Sequence, residues 1–199
     1  MAARIAGKTA TKQRIEFTAR SLFARVGYEG FSMRLLAHEC GVSLSSLYHF
    51  FKDKDDILKH IYTMTNRQLG LQRGALDEGE TMSDMLWKRI EFQFEHIEEV
   101  VFVLKYYLHF RSSFEKNNEG HLPHKSALHI EEVLRRGIRD GNIVIAEDEI
   151  LQEAKIVAHV INGFLLEYFP DSTEPSERTQ LIDSMHGFIL RALYAKGGT

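Results

Sequence analysis

The 199-residue sequence holds a single cysteine, Cys40, three prolines, and no apolar run approaching the length of a bilayer crossing. One thiol can form neither an intrachain disulfide nor a cysteine metal cage. Scarce proline, beside plentiful Leu, Glu, Ala, Ile and Arg, predicts an all-α chain. A membrane span would need roughly 18–20 consecutive apolar residues, so no membrane partner is expected. The opening stretch MAARIAGKTATKQR lacks the apolar core of a secretory signal, which points to a cytoplasmic protein. Apolar residues at 44% and charged residues at 27% exclude a disordered chain. Catalytic signatures are missing too. There is no GxSxG, no phosphate-cradling glycine loop, and no paired carboxylates beside a nucleophile. The expectation is therefore no enzyme, no catalytic residue and no cofactor. His96, His109, His121, His124, His129, His159 and His186 come without cysteine pairs or an HExxH helix, so no metal site is expected.

What is present is distributed unevenly. The net charge of −3 conceals nine Lys and Arg against four acids up to Lys54, and 16 against 24 beyond it. A basic end on an acidic body suits one end that meets a polyanion while the rest keeps away from it.

The basic end reads as three short helices. Ile15, Ala19, Leu22, Phe23 and Val26 are spaced for one apolar face of a helix over about Thr9 to Val26, which Gly27 stops. Ser32 stands as N-cap before Met33-Arg34-Leu35-Leu36-Ala37, and Gly41 closes that second helix. Ser43 caps a third helix over Leu44 to Phe50. Two short helices joined by a tight glycine turn form a helix-turn-helix, whose second helix enters the major groove of DNA. Its exposed face is expected to carry Leu44, Ser45, Ser46, Tyr48 and His49, with Leu47 and Phe50 turned inward. Lys52 and Lys54 then open a fourth helix, where free amides and the helix dipole favour a phosphate.

The stretch from Gly27-Tyr28 through Gly41-Val42-Ser43 and Leu47-Tyr48-His49-Phe50-Phe51 to Lys54-Asp55-Asp56-Ile57-Leu58 closely resembles the signature of TetR-family repressors. The resemblance implies phosphate contacts from Ser32, Ser43, Tyr48, His49 and Lys54, and base contacts from Arg34, Leu44, Ser45 and Ser46. Lys8, Thr11, Lys12 and Arg14 are additional phosphate candidates, whereas His38 reads as a helix surface residue. Leu36, Cys40 and Leu44-Ser45 depart from the common pattern of Ile, Ala and a polar residue followed by Gly or Pro. These departures bear on the operator sequence and leave the fold untouched.

No Pro/Gly/Ser linker follows Lys54, so the expected domains, 1–52 and 53–199, are joined by a fourth helix running from Asp53 to about Leu76. Turn-rich stops then divide the body into five more helices: Thr81 to His96, Ile97 to Phe114, Leu122 to Asp140, Asp148 to Phe169, and Pro175 to Lys196. About nine helices result. Apolar stripes on the last two, including Val160, Phe164, Met185, Phe188, Ile189 and Leu193, mark a homodimer interface of four-helix-bundle type. Trp87, Phe94, Phe102, Tyr106, Tyr107, Phe110, Phe164 and Tyr168 are the candidates for an effector pocket that takes an apolar or aromatic small molecule. The resulting reading is a homodimeric repressor released from a palindromic operator by a small-molecule effector. Its rival is a helical sensing or enzymatic domain whose basic N-terminal bundle makes protein contacts.

Overall fold

The computed structural model describes residues 2–72, 79–117, 122–169 and 174–195, and their side chains except those of 2–6, 8, 72, 115–117 and 122–125. Among the described residues there are nine helices and no strand: α1 (Ala2–Gly30), α2 (Met33–Cys40), α3 (Leu44–Tyr48), α4 (Lys54–Gln72), α5 (Met82–Glu95), α6 (Ile97–Asn117), α7 (Leu122–Arg139), α8 (Ile150–Tyr168) and α9 (Pro175–Ala195). No described helix is long and apolar enough to cross a membrane.

The first helix is longer than its apolar face predicts. It starts at Ala2, in an alanine-rich stretch without proline that continues through Gly7, and Thr11 donates its hydroxyl back to the Gly7 carbonyl at 2.9 Å, as a helical Thr does. Its regular part ends where expected. Gly27 takes φ 68° and ψ −172°, a conformation open in practice to glycine alone.

The short helices follow their punctuation. Ser32 accepts a hydrogen bond from the Leu35 amide at 3.1 Å, and Ser43 does the same for Ser46 at 3.1 Å. Each bond satisfies an amide that the first helical turn leaves without an internal partner. Gly41 is left-handed (φ 62°, ψ 37°), and the Gly41 and Val42 amides turn back to the His38 and Ala37 carbonyls, both at 3.0 Å. That pair of bonds is a Schellman end. Helix α3 is shorter than expected, because His49 already caps it; Phe51, rather than Phe50, is the ring buried beside Leu47.

The chain divides into two compact units. The first comprises residues 1–72 with 98–112, so α4 and the middle of α6 belong with the helix-turn-helix rather than with the body. The physical reason lies at Phe23, fully buried, whose ring meets Phe31 at 6.2 Å and Phe102 of α6 at 5.2 Å in edge-on geometry. Arg20 pairs with Glu99 at 3.0 Å, and Lys105 donates to the Ala24 carbonyl one turn before the glycine break. Burial lowers the pKa of that lysine.

The second unit comprises residues 73–97 and 113–199. In it α7 packs along α8, and α5 lies against α7, α8 and α9. Thr81 and Asp84 form a reciprocal capping box at the start of α5. Two polar links tie α5 to α9: Trp87 donates its indole N–H to Asp183 at 2.8 Å, and His186 Nε2 lies 2.9 Å from the Ser83 carbonyl.

Candidate nucleic-acid interface

Ser32, Arg34, Leu44, Tyr48, Lys52 and Lys54 line one surface cleft of about 530 Å³, together with Phe31, Met33 and Asp53. It joins the start of α2, the face of α3 and the start of α4. Five of the nine expected contact residues therefore meet in one place, and Lys52 joins them. Arg34 and Ser32 are exposed, and Tyr48 is 53% exposed, an unusual cost for a large ring that no core demands. The remaining expected residues lie on or next to α3. Ser45 and His49 are exposed, while Ser46 is half-buried with its hydroxyl 2.7 Å from that of Ser43. Both capping serines thus spend one lone pair on an amide and keep a hydroxyl at the surface.

The start of α4 differs from expectation in a way that matters. Asp53 accepts from the Asp56 amide at 2.8 Å, and Asp56 accepts from the Lys52 amide at 2.9 Å. Carboxylates already occupy two amides that the sequence reading left open for a phosphate. The attraction of this end for an anion is therefore carried by side-chain ammonium groups. Lys54 is not splayed into solvent either. Its Nζ sits 3.7 Å from the centroid of the Tyr28 ring and 3.4 Å from the Tyr28 carbonyl. Tyr28 in turn donates its hydroxyl to Asp55 at 2.6 Å. That bond, then burial, then the nearby carboxylates push the phenol up to about 12, so it remains a donor throughout the neutral range. Sequence reasoning used Tyr28 only as part of a motif; its signal was an aromatic directly after the glycine that breaks α1.

Along α1, Lys12 pairs with Glu16 at 3.6 Å and lies 5.8 Å from the Phe51 ring, and Arg14 is exposed. The side chain of Lys8 lies outside the described residues, as do those of His121 and His124. His38 is a surface residue, 3.5 Å from Glu39.

A profile of bacterial regulatory proteins of the tetR family matches residues 18–61, which takes in the cleft and all its capping residues. Over this segment the chain resembles the tetR family. A helix-turn-helix transcriptional regulator of Staphylococcus aureus (strain USA300) is 42% identical over 50 residues, 25% of this chain and 27% of that protein. The match thus spans about a quarter of the curated relatives. Beyond the tetR segment the likeness is one of fold. A transcriptional regulator from Rhodococcus sp. RHA1 superposes with a TM-score of 0.63 at 17% identity, over 92% of this chain and 97% of that one. A tetR-family regulatory protein from Rhodococcus RHA1 does so at 0.65 and 14%, over 92% and 96%.

The candidates for the other two sites are placed differently from expectation. Phe102, Tyr106, Tyr107 and Phe110 fall in the first unit, Trp87, Phe94, Phe164 and Tyr168 in the second. Phe102 is spent against Phe23, and Tyr106 stacks on Tyr62 at 4.4 Å, so both serve the core of the first unit. Phe94 is buried, Trp87 is half-buried, and Phe164 stacks on Tyr168 at 5.9 Å near the surface. Of the interface candidates, Met185, Ile189 and Leu193 are buried in the second unit's own core. Phe188 and Phe164 point outward at 55% and 37% exposure, and Val160 is half-buried. Ile156 and Tyr194 are exposed as well.

Proposed function

We propose that the chain is a DNA-binding transcriptional regulator of the cytoplasm, acting as a homodimeric repressor that a small-molecule effector releases from a palindromic operator. The observation that carries the reading is the cleft itself. A capped helix pair, two exposed or half-exposed lysines, an arginine and a solvent-facing tyrosine converge on one surface of a segment with a basic excess. Hydroxyls and ammonium groups so placed suit phosphate anchoring, with Arg34 and the α3 residues Leu44 to Ser46 positioned for base edges.

A single helix-turn-helix covers only a few base pairs, and two related by a two-fold axis read a palindrome. Exposed Phe164 and Phe188 on α8 and α9 supply the apolar surface for that pairing. Residues 1–52 would read DNA, and 53–199 would dimerise and bind the effector. Helix α6 contributes residues to both units, so a ligand that shifts it in the second unit has a covalent route to the first. Linkage requires the effector to bind the DNA-free state better, and DNA then weakens effector binding by the same factor.

A gel-shift titration on the DNA upstream of the chain's own gene tests the reading. Saturable retardation that falls at least tenfold in Tyr48→Ala and Lys54→Ala supports it. Retardation indifferent to both changes would favour the rival, a helical domain whose basic end makes protein contacts.

A further inference from the structure

We propose that Leu44 reads a thymine in each operator half-site through the methyl group of that base. The proposal rests on the DNA-binding reading and names what one residue of the same surface recognises.

Helix α3 is five residues long, so few of its side chains can face bases. Leu47 is fully buried. The hydroxyls of Ser43 and Ser46 lie 2.7 Å apart, and Ser43 also accepts from the Ser46 amide at 3.1 Å, so these two serines are tied to each other. His49 stands at the far end as the C-cap, its ring edge-on to that of Phe50 at 5.6 Å. A recognition helix meets bases through its N-terminal residues. On α3 these are Leu44 and Ser45, directly after the Ser43 cap.

Leu44 is half-buried and lines the cleft that also holds Ser32, Arg34, Tyr48, Lys52 and Lys54. Tyr48 follows it by one helical turn, so the two share a face of α3. An aliphatic side chain thus sits among hydroxyls and cations suited to phosphate. It does so at a position where the family pattern that the segment resembles carries a polar residue.

Chemistry narrows what this side chain can recognise. Leucine neither donates nor accepts a hydrogen bond through its side chain. In the major groove adenine presents an acceptor and an amino donor, guanine two acceptors, and cytosine an amino donor; thymine alone adds a methyl group. A polar base edge pressed against Leu44 would lose its water without gaining a partner, which costs free energy. The thymine methyl gains an apolar contact in the same place. Both effects favour thymine.

The test starts by selecting bound duplexes from a random-sequence pool with the full-length protein, and then titrates the enriched operator by gel shift. Each thymine is replaced in turn by deoxyuridine, which pairs identically and lacks only the methyl group. The expected result is one position per half-site where replacement weakens wild-type binding about fourfold, the effect of one buried methyl, and roughly fifteenfold when both half-sites are changed. At that position cytosine carrying the same ring methyl should bind about fourfold more tightly than plain cytosine. Leu44→Gln and Leu44→Ala should each bind the thymine and deoxyuridine operators with nearly equal affinity, which separates a lost contact from a change in the DNA itself. An enriched operator indifferent to deoxyuridine at every thymine overturns the assignment. So does a deoxyuridine penalty that persists in full in either variant. In both cases specific binding stands, and the regulator reading with it. A pool that yields no enriched sequence overturns the regulator reading, and the assignment falls with it.

Discussion

Lys54 holds its ammonium 3.7 Å from the centre of the Tyr28 ring, while that ring also stacks 3.7 Å from the His109 imidazole of α6. A residue beside the broken end of α1 thus positions a cation on the proposed phosphate surface and touches the helix that serves both units. Cation–π contacts of this kind contribute about 0.5–1 kcal/mol at partly exposed sites, enough to bias the lysine toward one rotamer.

Tyr28→Leu should therefore weaken DNA retention several-fold and lower the slope of log affinity against log salt by about 1 if Lys54 loses its phosphate. Tyr28→Phe keeps the ring, loses only the hydrogen bond to Asp55, and should retain near-wild-type affinity. Gel shifts over a salt series separate the two variants. A Leu variant with wild-type affinity and slope would show that Tyr28 merely packs.

Gly27 and Gly41 differ in a measurable way. In neither case does a built Cβ meet any atom within 4 Å, so substitution reports backbone strain alone. Gly41 is left-handed at φ 62°, where Asn is tolerated. Gly27, at φ 68° and ψ −172°, lies where side chains are excluded. Gly27→Ala and Gly27→Asn should both cost about 1–3 kcal/mol in urea unfolding. Gly41→Ala should cost about 1 kcal/mol, and Gly41→Asn less. Equal losses for the two Asn variants would refute the distinction.

These glycines, with Ser32, Ser43 and Thr81, explain why helix order was legible in the sequence. Caps and stops are local, and each depends on a residue within a few positions. Sequence neighbours do not reveal which long-range surface a ring will find. Phe102 and Tyr106 read equally well as pocket or core until α6 is seen against Phe23 and Tyr62. The same ambiguity affected α9, where Met185 and Phe188 share an apolar stripe yet one is buried and the other exposed. At α4 the sequence showed the lysines and the acids, while the occupation of the Asp56 and Lys52 amides by carboxylates emerged only from geometry.

The α9 pair also yields a test of the proposed dimer. Met185 is 1% exposed, so Met185→Ala should cost about 2–5 kcal/mol of stability. Phe188, 55% exposed, contributes little to the fold of a single chain. Phe188→Glu should keep helical content and halve the mass measured by light scattering. A Phe188→Glu protein that still sediments at twice the chain mass would place the pairing surface elsewhere.

The capping box of α5 ties stability to acid pH. The Asp84 carboxylate accepts from the Thr81 hydroxyl at 2.7 Å and from its amide at 3.4 Å, and these bonds hold its pKa below the usual carboxylate value. A pKa lower in the folded than in the unfolded chain means that the unfolded chain takes up the proton first. The stabilisation is therefore complete above the ordinary carboxylate range and declines as pH falls through it toward the folded pKa. Asp84→Asn, which cannot ionise, should be less stable than wild type at pH 6, and the gap should narrow at pH 3. Urea unfolding at the two pH values, followed by helical circular dichroism, measures both gaps. Because the group is surface-exposed and salt screens its charge, the comparison belongs at low ionic strength. A gap that stays constant between pH 6 and pH 3 would mean that Asp84 stabilises α5 through its shape and neutral hydrogen bonds, independent of its charge.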